Sequence, residues 1–111
     1  MTNAMTISPI PGVLVVRAGG AVVAETAHGL AVLNQDVASR WLPLAQANVF
    51  LDATETVNHI PGIGSARGYD LIAKSGPIAL AAWAVEVPDP GAEALMTHVT
   101  FDETRVAVEQ L

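Results

Sequence analysis

The 111-residue chain contains no cysteine. Disulfides, thiolate zinc sites, iron–sulfur ligation and cysteine nucleophiles are therefore excluded. Cations are scarce as well: five Lys and Arg stand against eleven Asp and Glu, a formal net charge of −6. With no basic stripe to neutralise phosphates, nucleic acid is not an expected partner, and basic amphipathic attachment to a membrane is disfavoured for the same reason. Charged residues make up only 14% of the chain, so much of the surface must be small or weakly polar. Long apolar runs are missing too. The longest covers residues 78–85, far short of the about 20 residues a helix needs to cross a bilayer. No basic start followed by an apolar stretch reads as a secretory signal, and the cytoplasm is the expected compartment.

What is present is apolar and rich in β-formers. Hydrophobic residues reach 51% and the mean hydropathy is +0.43. A chain of this length forms one domain and buries roughly two-thirds of its unfolded surface. Residues 1–11 carry two prolines and no periodicity and read as a flexible tail, leaving 12–111 as a single β domain. Val13-Leu14-Val15-Val16-Arg17-Ala18 and Ala21-Val22-Val23-Ala24-Glu25-Thr26 flank Gly19-Gly20. That is a strong hairpin signal, because glycine enters the positive-φ turn positions freely. His28-Gly29 turns into a short strand at 30–33. Residues 34–48 are the least β-like; Asn34 or Asp36 could cap a helical turn through Arg40, and Pro43 stops anything longer. Strands are expected at 54–59, 69–74 and 78–87, with turns at Ser75-Gly76-Pro77 and Pro88-Asp89-Pro90-Gly91. A short helical turn is expected within 92–97. The chain should finish in a hairpin of 98–101 and 105–109 around Asp102-Glu103. About eight short strands with few helical residues predict a mostly β fold, a small antiparallel domain of barrel-like or β-tent-like form with one or two short helical turns.

Three ordered blocks carry a family resemblance. The first is Gly19-Gly20 leading to Ala24-Glu25-Thr26. The second is His59-Ile60-Pro61 with Gly64, Ala66, Tyr69 and Asp70. The third is Ala82-Trp83, Pro88 and Pro90, then His98-Val99-Thr100-Phe101 and Arg105-Val106. Together they resemble the bacterial family called domain of unknown function 427, over Pro11 to about Glu109. The resemblance implies a compact, mostly antiparallel β domain of the tent or barrel kind and no established activity. The family has also carried a nucleotidyltransferase label. This chain lacks a glycine-rich loop with lysine to cradle phosphates, and it has no paired carboxylates for a metal. It also departs from the family pattern. Where members usually place cysteine, proline, an aromatic, lysine and glycine, it has Ile60, Pro61, Gly62, Ile63 and Gly64. Leu42-Pro43 is followed by Leu44-Ala45-Gln46 rather than an arginine–acidic cluster. The common tyrosine two places after the tryptophan is Val85. The groups that would first be nominated for chemistry are replaced by apolar or neutral ones.

The remaining polar candidates gather around the glycine-rich stretch 59–70. His59 precedes a Pro-Gly turn and suits proton transfer near neutrality, although bonding to turn backbone is the simpler role. Arg67 could grip a carboxylate or phosphate on a ligand, or pair with Asp70 at the surface. Alternation puts Tyr69 and Leu71 on one face and Asp70 on the other. Trp83 sits in the most apolar strand and reads as a core or cavity-lining residue. Glu86, three residues on, faces the opposite way. His28 and His98 show no metal-ligand spacing, and no metal or cofactor is expected. Ser65 lacks the Gly-x-Ser-x-Gly frame of a nucleophile elbow. The ligand-binding candidates are thus His59, Arg67, Tyr69, Asp70, Trp83 and Glu86. A non-catalytic small-ligand-binding or accessory module is the leading expectation, with a small molecule as partner. The alternatives are an enzyme with its site at His59, Arg67, Tyr69 and Asp70, and a homodimeric interaction module built on exposed apolar surface.

Overall fold

The computed structural model describes residues 5–111. Among them are ten strands: β1 (Met5–Pro9), β2 (Leu14–Ala18), β3 (Ala21–Thr26), β4 (Leu30–Asn34), β5 (Val37–Pro43), β6 (Leu51–Ile60), β7 (Gly64–Ala73), β8 (Gly76–Pro88), β9 (His98–Phe101) and β10 (Ala107–Gln110). Two 3₁₀ turns, Leu44–Gln46 and Glu93–Leu95, are the helical content. The expected helical turn within 92–97 is the second of these.

The strands form two antiparallel sheets. Seven lie in the order β1-β4-β5-β9-β8-β7-β6, and three in the order β10-β2-β3. The larger sheet does not close on itself, so the fold is an open pair of sheets rather than a barrel, with β1 and β6 as free edges. The Gly19-Gly20 hairpin forms as its residues dictate, with both glycines at positive φ, 58° and 81°.

Alternation along the strands sends apolar side chains to both faces of the large sheet. One face packs on the small sheet. Leu14 and Val16 from β2 meet Leu42, Leu71, Val99 and Phe101 there. Burying each aliphatic side chain of this set contributes about 1.5–3 kcal/mol. Arg40 helps join the layers, donating from Nη2 to the Val108 carbonyl on β10 at 2.9 Å while pairing with Glu103. The opposite face carries a second, smaller core of Val32, Trp41, Ile63, Val85 and Leu95. Leu95 reaches it because residues 89–97 fold back over this face, fixed by the Thr97 amide donating to the Val85 carbonyl at 3.0 Å.

Three local expectations are corrected. Residues 5–9 of the expected tail form β1, paired with β4 from Met5↔Asn34 to Pro9↔Leu30; residues 1–4 of that tail lie outside the described residues. The expected helical turn capped by Asn34 or Asp36 is instead the β4–β5 hairpin, whose turn residues Gln35 and Asp36 sit at φ 52° and 67°. No glycine marks that turn, and Asp is among the residues that tolerate the left-handed region. The final hairpin does not form either. β9 inserts between β5 and β8, whereas β10 crosses to β2, because Asp102 to Arg105 turn the chain from one sheet to the other.

Candidate functional site

A cavity of about 320 Å³ opens on the second face of the large sheet. It is built by two hairpin tips and a strand floor. On β5, Val37, Ser39 and Trp41 share one face by the two-residue period of a strand. Thr100 of β9 pairs with Trp41 and lies beside it. The β6–β7 turn folds over this floor and contributes Ile60, Pro61 and Ile63, while Asn34 and Gln35 supply the opposite rim. The tips are tied by Asn34 Nδ2, which donates to the Pro61 carbonyl at 2.9 Å. Gly62, at φ +81°, makes this approach possible: a Cβ there would stand 3.0 Å from Asn34 Nδ2.

No ionisable side chain among the described residues lines this cavity. Its polar atoms are neutral and partly engaged. Trp41 Nε1 donates to Ser39 Oγ at 2.8 Å, and Thr100 Oγ1 donates to the Arg40 carbonyl at 2.9 Å. Trp41 is 1% exposed, so the indole forms wall rather than surface.

The residues singled out from the sequence lie elsewhere and do not share one cleft. His59 Nε2 is 3.0 and 3.1 Å from the two carboxylate oxygens of Asp89, at the surface, where a bond to turn backbone was the simpler expectation. Arg67 pairs with Glu86 across β7 and β8, not with Asp70: Nε and Nη2 reach the carboxylate at 2.7 and 3.1 Å, and Nη1 donates to the Thr54 carbonyl at 2.9 Å. These hydrogen bonds hold the Glu86 carboxyl below its ordinary range. The Asp70 carboxylate accepts from the Leu80 amide at 2.9 Å, at a bulge in the β7–β8 ladder where Leu80 takes φ 50°. Tyr69 packs on the core between the sheets. Trp83 is partly buried and outside both core clusters, its ring against Gly68.

A second depression, about 370 Å³ and broadly open, lies beside Glu25, His28 and Gln46. Its one buried polar side chain, Thr26, donates to Gln46 and accepts from the His28 amide, so its proton and one lone pair are used internally. Among the described residues no group of three His, Asp or Glu could hold a metal ion.

A family model described as Domain of unknown function (DUF427) matches residues 6–110. The chain belongs to this family. No curated protein matches the sequence. DUF427 membership, by its own description, establishes no activity. Ile60 and Ile63 both line the cavity, and Val85 is buried in the core beneath it. The sequence reading missed Ser39, Trp41 and Thr100. The available signal is the period-two set Val37, Ser39, Trp41, masked by the expected helical turn through Arg40.

Proposed function

We propose that this protein is a non-catalytic module that binds a small, uncharged, largely apolar molecule in the cavity floored by Trp41. One observation carries the reading: a cavity of about 320 Å³ walled by Val37, Trp41, Ile60, Pro61 and Ile63, with neutral hydroxyl and amide groups as its polar complement. Small-molecule sites are typically concave, mostly apolar and furnished with a few placed polar groups. Engineered apolar cavities of about 150 Å³ already take up benzene, so this one admits a bicyclic ring system.

The non-catalytic part of the reading rests on the same residues. A general acid–base or nucleophilic mechanism needs a titratable or nucleophilic group within hydrogen-bond reach of the substrate. Here the polar groups of the wall are alcohols, amides and an indole already bonded to Ser39, with no titratable side chain among the described residues to activate them. The enzyme alternative requires His59, Arg67, Tyr69 and Asp70 to converge, and each is committed to a different partner.

The reading is tested by titrating apolar fragments into labelled protein and following the Trp41 indole resonance, assigned with Trp83→Phe. Saturable shifts are expected in the wild type. Val37 is 66% exposed at the rim, so Val37→Arg should leave the fold intact while weakening binding about tenfold or more, since an apolar ligand would then desolvate a charge. Fragments that bind both proteins equally, or shift only surface resonances, would exclude this cavity as the site.

A further inference from the structure

The hydrogen-bond inventory of the cavity goes further than its apolar lining. Resting on the small-ligand reading above, we infer that the cavity selects a planar ring bearing an uncharged amide or lactam edge, with the ligand carbonyl accepting from Ser39 and the ligand N–H donating to Thr100.

The assignment comes from counting protons. A hydroxyl has one proton and two lone pairs. Ser39 Oγ accepts the Trp41 indole N–H. It makes no other hydrogen bond among the described residues, so its proton is left to donate. Thr100 has the opposite balance. Its proton is spent on the Arg40 carbonyl, and toward the cavity it can only accept. The two hydroxyls are therefore not interchangeable: one is set as a donor by the indole, the other as an acceptor by the backbone.

Their placement matches one ligand edge. Thr100 is directly opposite Trp41, and Ser39 is two residues from Trp41 on the same face. The two side chains are diagonal neighbours, with Cβ atoms about 7 Å apart. Both hydroxyls line the cavity, so one amide edge lying across them can meet the donor at one end and the acceptor at the other. Trp41 and the aliphatic wall of Ile60 and Ile63 supply the apolar body of the slot. A carboxylate or phosphate would meet Thr100 as a second acceptor, with no cation on the wall, and a purely apolar ring would leave the Ser39 proton and a Thr100 lone pair unmatched.

Four probes of similar size separate these terms: 2-quinolinone, N-methyl-2-quinolinone, naphthalene and 2-naphthoate, each titrated against the Trp41 indole resonance. The expected order has 2-quinolinone tightest. N-methylation, which removes the donor and keeps the acceptor, should cost about tenfold. Naphthalene should bind at least that much more weakly, and 2-naphthoate should be weakest of all. Thr100→Val should weaken 2-quinolinone about tenfold, to the level of its N-methyl derivative, while leaving naphthalene unchanged. Ser39→Ala should do the same and also frees the indole N–H, so its fold is checked by circular dichroism; the ligand series in the wild type stands without it. If naphthalene binds as well as 2-quinolinone, the cavity is merely greasy: the amide inference fails and the small-ligand reading survives. Tightest binding by 2-naphthoate overturns the inference in favour of an anion site. If none of the four binds, both fall together.

Discussion

The two faces of the β6–β7–β8 ribbon handle polarity in opposite ways. Toward the cavity, the turn presents Ile60, Pro61 and Ile63 to a pair of neutral hydroxyls. Away from it, the same ribbon carries the His59–Asp89 hydrogen bond and the Arg67–Glu86 ion pair, each satisfied by its own partner. The charged side is the one that first attracts attention in a sequence, because its residue types are those of catalysis. In the fold it is finished: every arm of Arg67 is used on protein atoms. The cavity side has the more ordinary residues, and it retains the Ser39 proton unspent. Residue type marks where chemistry is conceivable; unspent hydrogen-bonding capacity marks where a ligand could add something.

The largest loss of stability is expected at the cavity wall. Trp41→Ala removes a fully buried indole from the smaller core and leaves its space only partly refilled, so unfolding free energy in denaturant titration should fall by about 3–5 kcal/mol. Trp83→Ala should cost clearly less, since Trp83 is partly exposed and belongs to neither core cluster. Equal losses for the two tryptophans would mean that Trp41 is not the structural wall described.

A smaller effect contrasts two glycines of β7. Gly64 sits at φ +138°, and a Cβ there would be 2.3 Å from the Val87 carbonyl oxygen and 2.7 Å from the Pro88 Cα, both backbone. Gly64→Ala should lose about 1–3 kcal/mol from the backbone conformation alone, with the clash in addition. At Gly68 the nearest atom is Leu80 Cδ2 at 2.5 Å, the tip of a flexible side chain, with the Trp83 ring at 3.1 Å. Gly68→Ala should stay within about 1 kcal/mol of wild type, because the reduced freedom of the unfolded chain offsets the shift of Leu80. Thermal unfolding of both variants ranks them; a more damaging Gly68→Ala would show that Trp83 is pinned rather than adjustable.

Much of this architecture is legible in the residues, and the parts that are not share a physical cause. The Gly19-Gly20 hairpin, the long strand through 78–87 and the 3₁₀ turn at Glu93–Leu95 are written locally, in glycine, β-branched runs and a break after proline. The β4–β5 turn is not, because Gln35 and Asp36 enter the left-handed region without a glycine to announce it. Missing that turn hid β5, and with it Ser39 and Trp41. The separation of β9 from β10 is not local either: adjacency in sequence predicts a hairpin, and only the demand of the small sheet for a partner beside β2 draws β10 away. The cavity itself joins 34–41, 60–63 and 100. Its existence is a consequence of sheet order, which no one segment encodes.

The weakest expected effect is also the sharpest test of the contrast between the two faces. Glu86 titrates below its ordinary value of 4.5 because of its bonds to Arg67. A carboxyl lowered in the folded state stabilises the fold above its unfolded pKa, and that contribution disappears as pH falls through the lower folded value. The stability difference between wild type and Glu86→Gln should therefore be constant near neutrality and shrink on acidification from about pH 4.5 downward. It should be small throughout, since the Arg67 and Glu86 side chains are 30% and 42% exposed and water and salt screen the pair. The cavity provides the control. No ionisable group lines it among the described residues, so the difference between wild type and Thr100→Val should stay flat over the same range. Denaturant titrations of the three proteins at pH 7, 5, 4 and 3 compare the slopes directly. An acid-side slope in the Thr100→Val difference would reveal a charge coupled to the cavity, and the neutral-ligand assignment would have to yield to one in which that charge takes part.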